Sequence, residues 1–220
     1  MRSFVVSLLL TGASAAAAAA APLVPNVYLG NNRGTAQPGL LMPAIGLGTG
    51  GYSDNNATGY GNYPECWSSL TGCGPWVQQA VTSWFAAGGR RLDAANSYQN
   101  DHDVGAAMAA SGLPRSEVFL LSKTGPSHPL GYNDTLAQFE AIKASMGVSY
   151  VDCLLIHWPW PSASKGNVTN NSTQSTDPAC NTAAATYDEV ECRLQTWRAM
   201  LHIYNSGGAL SIGTSNFNVT

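Results

Sequence analysis

Charge is scarce in this chain. Asp, Glu, Lys and Arg make up 10% of its 220 residues, the net charge is −3, and no basic run occurs. That balance argues against a nucleic acid, whose phosphates are bound by clustered Lys and Arg. No pair of Cys-x-x-Cys motifs is present, so nothing has the ligand spacing of a structural zinc site. No Gly-x-Gly-x-x-Gly follows an apolar strand, and Gly46-Leu47-Gly48 is too short for that fingerprint. An open doubly wound dinucleotide fold is therefore disfavoured. The absence of Gly-x-Ser-x-Gly removes the nucleophile elbow of a serine hydrolase. Beyond residue 21, no stretch is long and apolar enough to span a bilayer.

What is present begins at the N-terminus. Residues 1–21 carry Arg2, an apolar run from Phe4 to Leu10 and a tract of small residues that includes Ala13-Ser14-Ala15. That is the shape of a secretory signal peptide, with a retained anchor or a plastid-targeting extension as alternatives. Export predicts paired cysteines. Proximity selects Cys66 with Cys73 and Cys180 with Cys192 among three connectivities, leaving Cys153 buried and free. Asn-x-Ser/Thr sequons at Asn56, Asn133, Asn167, Asn170 and Asn171 fall in polar loops or at a helix start, while Asn218 follows a strand end where access is expected to be poor. The expected setting is the secretory pathway or the extracellular space, and the expected product a glycoprotein.

Two hundred and twenty residues, 45% of them hydrophobic, suffice for one sizeable domain. After a short hairpin formed by residues 26–29 and 40–43, five apolar strands are expected at 44–48, 90–95, 118–123, 151–156 and 210–215. Four helices alternate with them. Their stripes are Val77, Ala80, Val81, Trp84, Phe85; Val104, Ala107, Met108; Leu136, Phe139, Ile142, Met146; and Val190, Leu194, Trp197, Leu201, Tyr204. Two insertions, at about 50–74 and 160–186, interrupt the alternation. Strand–helix alternation implies a parallel α/β sheet with right-handed crossovers. Polar residues gather at the C-terminal strand ends, where (β/α)8 barrels build their sites.

Those ends carry the chemistry. One strand runs into Asp93-Ala-Ala-Asn-Ser-Tyr98-Gln-Asn100, the next ends at Ser122-Lys123, the next at Leu-Ile-His157-Trp-Pro, and the last at Gly213-Thr-Ser-Asn-Phe217. In identity and order these four motifs resemble the aldo-keto reductases, from about Leu40 onward. The resemblance implies a (β/α)8 TIM barrel of aldo-keto reductase type over residues 22–220, apparently truncated after the fifth strand, so that the chain is either a short barrel or part of a longer product. It implies reduction of an aldehyde or ketone with NADPH, NADH being the alternative, and a small-molecule carbonyl as partner.

A carbonyl that accepts a hydride needs a proton at its oxygen, and a free phenol ionising near pH ~10 is a poor donor. By resemblance, Tyr98 is that acid, the Lys123 ammonium stabilises its phenolate, Asp93 holds Lys123, and His157 orients the substrate. Ser215 and Asn216 would grip the nicotinamide carboxamide, with Gly48, Thr49 and Asp93 beside the cofactor. The chain departs from the family pattern at Gly50, where many members have tryptophan, and at Asp101, where glutamate is usual. The residues that stack on the nicotinamide and bind the 2′-phosphate lie on later strands, so weak cofactor binding is expected. Two other readings stay open: a non-catalytic glycoprotein or inactive fragment that keeps the scaffold for binding, and a different barrel enzyme, such as a hydrolase built on Asp93 and His157.

Overall fold

The computed structural model describes residues 24–29, 39–50, 75–125, 129–159, 175–182 and 184–218. The expected signal peptide, the Cys66–Cys73 pair, most of both insertions and the sequons at Asn56, Asn167, Asn170 and Asn171 lie outside them.

Strands β1 (Asn26–Leu29) and β2 (Leu40–Pro43) form the expected antiparallel hairpin. The alternation follows as β3 (Leu47–Gly48), α1 (Pro75–Ala86), β4 (Arg91–Asp93), α2 (Asp101–Ala110), β5 (Phe119–Thr124), α3 (Tyr132–Met146), β6 (Cys153–Ile156), α4 (Glu189–Asn205) and β7 (Ile212–Thr214). Strands β3 to β7 pair in parallel, each with its neighbour in sequence. Such pairing needs a crossover between strands, and helices α1 to α4 supply them. The strands are shorter than the apolar runs suggest. Ala44 and Ile45 lie in a bend, and only Val151 extends β6 backward, through an isolated bridge to Ala209.

The helices cover one face of this sheet. Val77, Val81 and Phe85 project from α1, Val104, Ala107 and Met108 from α2, and Phe139, Ile142 and Met146 from α3, packing on Leu92, Leu120 and Leu154 of the central strands. Burial of each such side chain contributes about 1.5–3 kcal/mol. The opposite face is closed at its N-terminal end by the hairpin: Leu29, Leu40 and Met42 pack against Phe119, Leu121 and Cys153. Among the described residues no helix is long and apolar enough to cross a membrane.

Helix α4 is rotated from its expected orientation. Val190 and Leu194 are 63% and 47% exposed, whereas Cys192, Thr196, Ala199, Met200 and Ile203 face the core. A covalent link and a hydrogen-bonded one fix that rotation. Cys192 is joined to Cys180, and the Thr196 hydroxyl accepts the backbone N–H of Gly131 at 2.9 Å while donating to the Cys192 carbonyl at 3.0 Å.

The disulfide holds residues 175–182 as a strap over the start of α3. The Asp177 carboxylate accepts from the Asn133 backbone and side-chain nitrogens at 3.0 and 3.1 Å. The Ser175 hydroxyl stands 2.5 Å from the Asp134 carboxylate and 2.8 Å from the Leu130 carbonyl, with one proton to give to either. Gly131, at φ +124°, lets Asp177 come so near that a Cβ there would stand 2.2 Å from Oδ2. The sequon asparagine Asn133 thus donates its amide to the strap. Cys153 is buried and free, as expected. Asn218, expected to be poorly accessible, is exposed because β7 has ended at Thr214.

Candidate active site

Parallel pairing in register brings the four strand ends together. Asp93 closes β4 opposite Gly48 on one side and Leu121 on the other. The chain then makes a single 3-10 turn, Asn96–Tyr98, and Gln99, at φ 56°, turns it into α2. Asn100 anchors that turn. Fully buried, it donates Nδ2 to the Thr49 carbonyl at 2.7 Å. Lys123 sits in β5 opposite Leu155, and His157 follows β6 with its N–H on the Thr124 carbonyl at 3.0 Å. Ser215 follows β7 with its N–H on the Ile156 carbonyl at 2.8 Å.

Lys123 is the hub. Its ammonium is buried, donates to the Asp93 carboxylate and to the Ala94 carbonyl at 3.0 Å, and lies 3.3 Å from the Tyr98 hydroxyl. A buried cation left unpaired is costly, and the Asp93 carboxylate supplies the compensating charge. The Tyr98 and His157 rings meet edge to face, with centroids 5.7 Å apart, and Trp158 lies against the His157 ring at 6.3 Å. Burial, and then the Lys123 ammonium, push the His157 imidazole down to about 4, against the opposing pull of the Gly125 carbonyl and Asp93. The ring is therefore neutral at physiological pH. The structure gathers Asp93, Tyr98, Lys123 and His157 around one point, where a phenol, a cation and a neutral imidazole can address the same oxygen.

Beside them, Asn216 takes a left-handed backbone, φ 61°, and donates Nδ2 to the His157 carbonyl at 2.7 Å and to the Ser215 hydroxyl at 2.9 Å. Its Oδ1 is left to accept and the Ser215 hydroxyl to donate, the complement of a primary carboxamide. This donor set fits the nicotinamide end of a dinucleotide. Gly48 faces open space. Thr49 is fully buried and committed to the fold: its hydroxyl and N–H both reach the Asp93 carbonyl, at 3.2 and 2.9 Å.

Two residues that sequence reasoning did not assign to the chemistry border this group, Ser97 and Gly50, and a third, Asp101, follows in the next helix. The Ser97 hydroxyl stands 3.2 Å from His157 Nδ1. A Cβ on Gly50 would lie 3.0–3.2 Å from three Tyr98 ring carbons, so only glycine fits there with the ring where it is. Asp101, the first residue of α2, is 5% exposed, and among the described residues its Oδ1 finds no hydrogen-bond partner. Burial pushes its carboxyl up to about 7. The position of Ser97, one residue before Tyr98 in the same motif, was the available signal; the other two depend on tertiary packing.

Comparison with known proteins identifies the family and the fold. The sequence profile of the Aldo/keto reductase family matches residues 75–220. An aldo-keto reductase of Mycolicibacterium smegmatis is 34% identical over 141 residues, covering 64% of this chain and 41% of the relative. One from Mycolicibacterium paratuberculosis is 30% identical over 176 residues, covering 80% of this chain and 46% of the relative. The chain thus spans less than half the length of these relatives. Among solved structures, the aldo/keto reductase of Brucella melitensis superposes with a TM-score of 0.60 at 28% identity, over 89% of this chain and 55% of that one. The Bombyx mori aldo-keto reductase, solved in complex with NADP, superposes with a TM-score of 0.61 at 26% identity, over 89% and 51%.

Proposed function

This chain belongs to the aldo/keto reductase family, and from that premise we propose that it takes part in reducing an aldehyde or ketone to the alcohol, with NADPH as hydride source and Tyr98 as proton donor. The observation that carries the reading is the Tyr98 hydroxyl 3.3 Å from a buried ammonium that is itself tied to Asp93. The complex of the Bombyx mori relative with NADP supports the choice of cofactor. So does the donor–acceptor pair of Ser215 and Asn216, which would hold the carboxamide.

NADPH, held at its carboxamide by Ser215 and Asn216, would supply a hydride to the carbonyl carbon. The carbonyl π pair moves to oxygen, which takes the Tyr98 proton, and the C–O–H product leaves a phenolate. The Lys123 ammonium stabilises that phenolate in a site of low dielectric, where a charge at 3.3 Å acts far more strongly than in water. Asp93 keeps Lys123 in place. His157, being neutral, can hydrogen-bond the substrate oxygen without setting a second cation beside Lys123. A proton from solvent then restores Tyr98. The Cys180–Cys192 bond supports an oxidising compartment, and we place the chain in the secretory pathway.

The test is NADPH oxidation measured over a panel of aliphatic and aromatic aldehydes and ketones. Tyr98→Phe should lower turnover by at least about 100-fold while leaving NADPH affinity, read by fluorescence titration, nearly unchanged. Undiminished turnover in that variant would refute the mechanism.

A further inference from the structure

We propose that Ser97 is a positioning residue, its hydroxyl donating to Nδ1 of His157 and so fixing the imidazole as the tautomer that carries its proton on Nε2. The inference deepens the reductase reading, because a neutral histidine can donate to a substrate oxygen only from the nitrogen that holds the proton.

The argument begins with the ring. A neutral imidazole has one N–H and one bare nitrogen, and which is which is set by the partner of the nitrogen facing away from the chemistry. At His157 that partner is the Ser97 hydroxyl, 3.2 Å from Nδ1. A serine hydroxyl can donate or accept. The Nε2–H form is intrinsically favoured for a neutral histidine side chain, and an O–H donated to Nδ1 adds to that preference. The charged groups around the ring are Lys123 from β5 and Asp93 from β4; the Tyr98 ring meets it edge to face, and the Gly125 backbone is a second hydrogen-bond partner of the imidazole. Lys123 opposes a second proton on the ring, so the choice lies between the two neutral forms.

Placement adds a second link. Ser97 and Tyr98 are consecutive in one 3-10 turn, whose far end is held by the buried Asn100 side chain on Thr49. One turn thus presents the phenol and sets the proton position of the imidazole that meets it edge to face at 5.7 Å. Any shift of the turn moves both groups together. This coupling makes Ser97 more than a packing residue.

The experiment is long-range proton–nitrogen correlation NMR on the full chain with nitrogen-labelled histidine at pH 7.5, the His157 signals being assigned by their loss in His157→Gln. Wild type should show the Nε2–H pattern for His157. Ser97→Ala should shift its ring nitrogens toward an average of the two tautomers, and Ser97→Thr, which keeps the hydroxyl, should restore the wild-type pattern. A wild-type His157 protonated on Nδ1, or a Ser97→Ala spectrum unchanged from wild type, overturns the proposal. If Ser97→Ala does not fold, the wild-type tautomer and Ser97→Thr still decide. In NADPH-dependent reduction, Ser97→Ala should lower kcat about tenfold with KM for NADPH unchanged, and Ser97→Thr should recover most of the loss. The NMR result does not depend on turnover. A chain that shows the expected tautomers but no reduction contradicts the reductase reading alone.

Discussion

The Lys123 ammonium stands 3.3 Å from the Tyr98 hydroxyl and 5.0 Å from the centre of the same ring, so one buried cation faces both the acidic oxygen and the π-cloud of the phenol. Replacing Lys123 by Met removes the charge and keeps much of the side-chain volume. Carbonyl reduction should fall by about 100-fold or more. The two residues act as a unit, so Tyr98→Phe combined with Lys123→Met should be scarcely slower than Tyr98→Phe alone. Steady-state kinetics of the two single variants and the double variant check this, and additive losses would separate the two roles.

Gly50 lies against the Tyr98 ring. An alanine Cβ there would stand 3.0 Å from Cζ and 3.1–3.2 Å from the Cε atoms, closer than side chains normally pack, so the ring must move by a few tenths of an ångström. Its backbone φ lies outside the left-handed region, so the exchange costs the fold little. Gly50→Ala should therefore keep its melting temperature and lose about tenfold in kcat, since small displacements of a reacting group are expensive. Thermal unfolding and kinetics on one preparation separate the two effects.

Asp101 gives a pH signature. Burial disfavours the charge and pushes the folded carboxyl up to about 7, whereas in the unfolded chain it returns to the ordinary carboxylate value of 3.8. Between these values the folded chain binds the extra proton, so this group lowers stability as pH rises from about 4 to 7. Asp101→Asn should raise the melting temperature by roughly 5 °C at pH 8 and leave it nearly unchanged at pH 4. An equal shift at both values would show that ionisation is not the cause.

The Cys180–Cys192 bond closes a loop with a sequence separation of 12 residues. A loop of that size is stabilising by roughly 3 kcal/mol. Cys192→Ser should melt several degrees below wild type, and added reductant should lower wild type to the same point without moving the variant further. Because the strap holds Asn133 and Asp134, hydrogen exchange at the start of α3 should speed up in parallel.

Much of this was legible before any coordinates. The strand–helix alternation and the hairpin follow from apolar period, the pairing of Cys180 with Cys192 from proximity alone, and the gathering of Asp93, Tyr98, Lys123 and His157 from the order of motifs at the strand ends. The orientation of α4 did not. Periodicity weights Val190 and Leu194 heavily and Cys192, Thr196 and Ala199 lightly, yet the smaller residues are the buried ones, because a covalent bond and a hydrogen bond to Gly131 choose the face. Strand ends were overestimated for a related reason: an apolar run need not match a ladder's limits, as at Ala44 and Ile45, which bend between β2 and β3. The environment of Asp101 and the contact of Gly50 with Tyr98 join residues 48 apart or depend on enclosure, and no local pattern encodes them.

Among the described residues, the order of strands in the larger sheet is their order along the chain, β3 through β7, so each of β4 to β7 pairs with the strand made just before it. A nascent polypeptide leaving the ribosome therefore meets the partner of each new strand already in place immediately upstream. Lys123 can dock on Asp93 before His157 has taken its place on β6, and Asn216 closes onto the His157 carbonyl after that. Assembly can proceed in the direction of synthesis, one strand and its helix at a time, with the two insertions as the long connections to close.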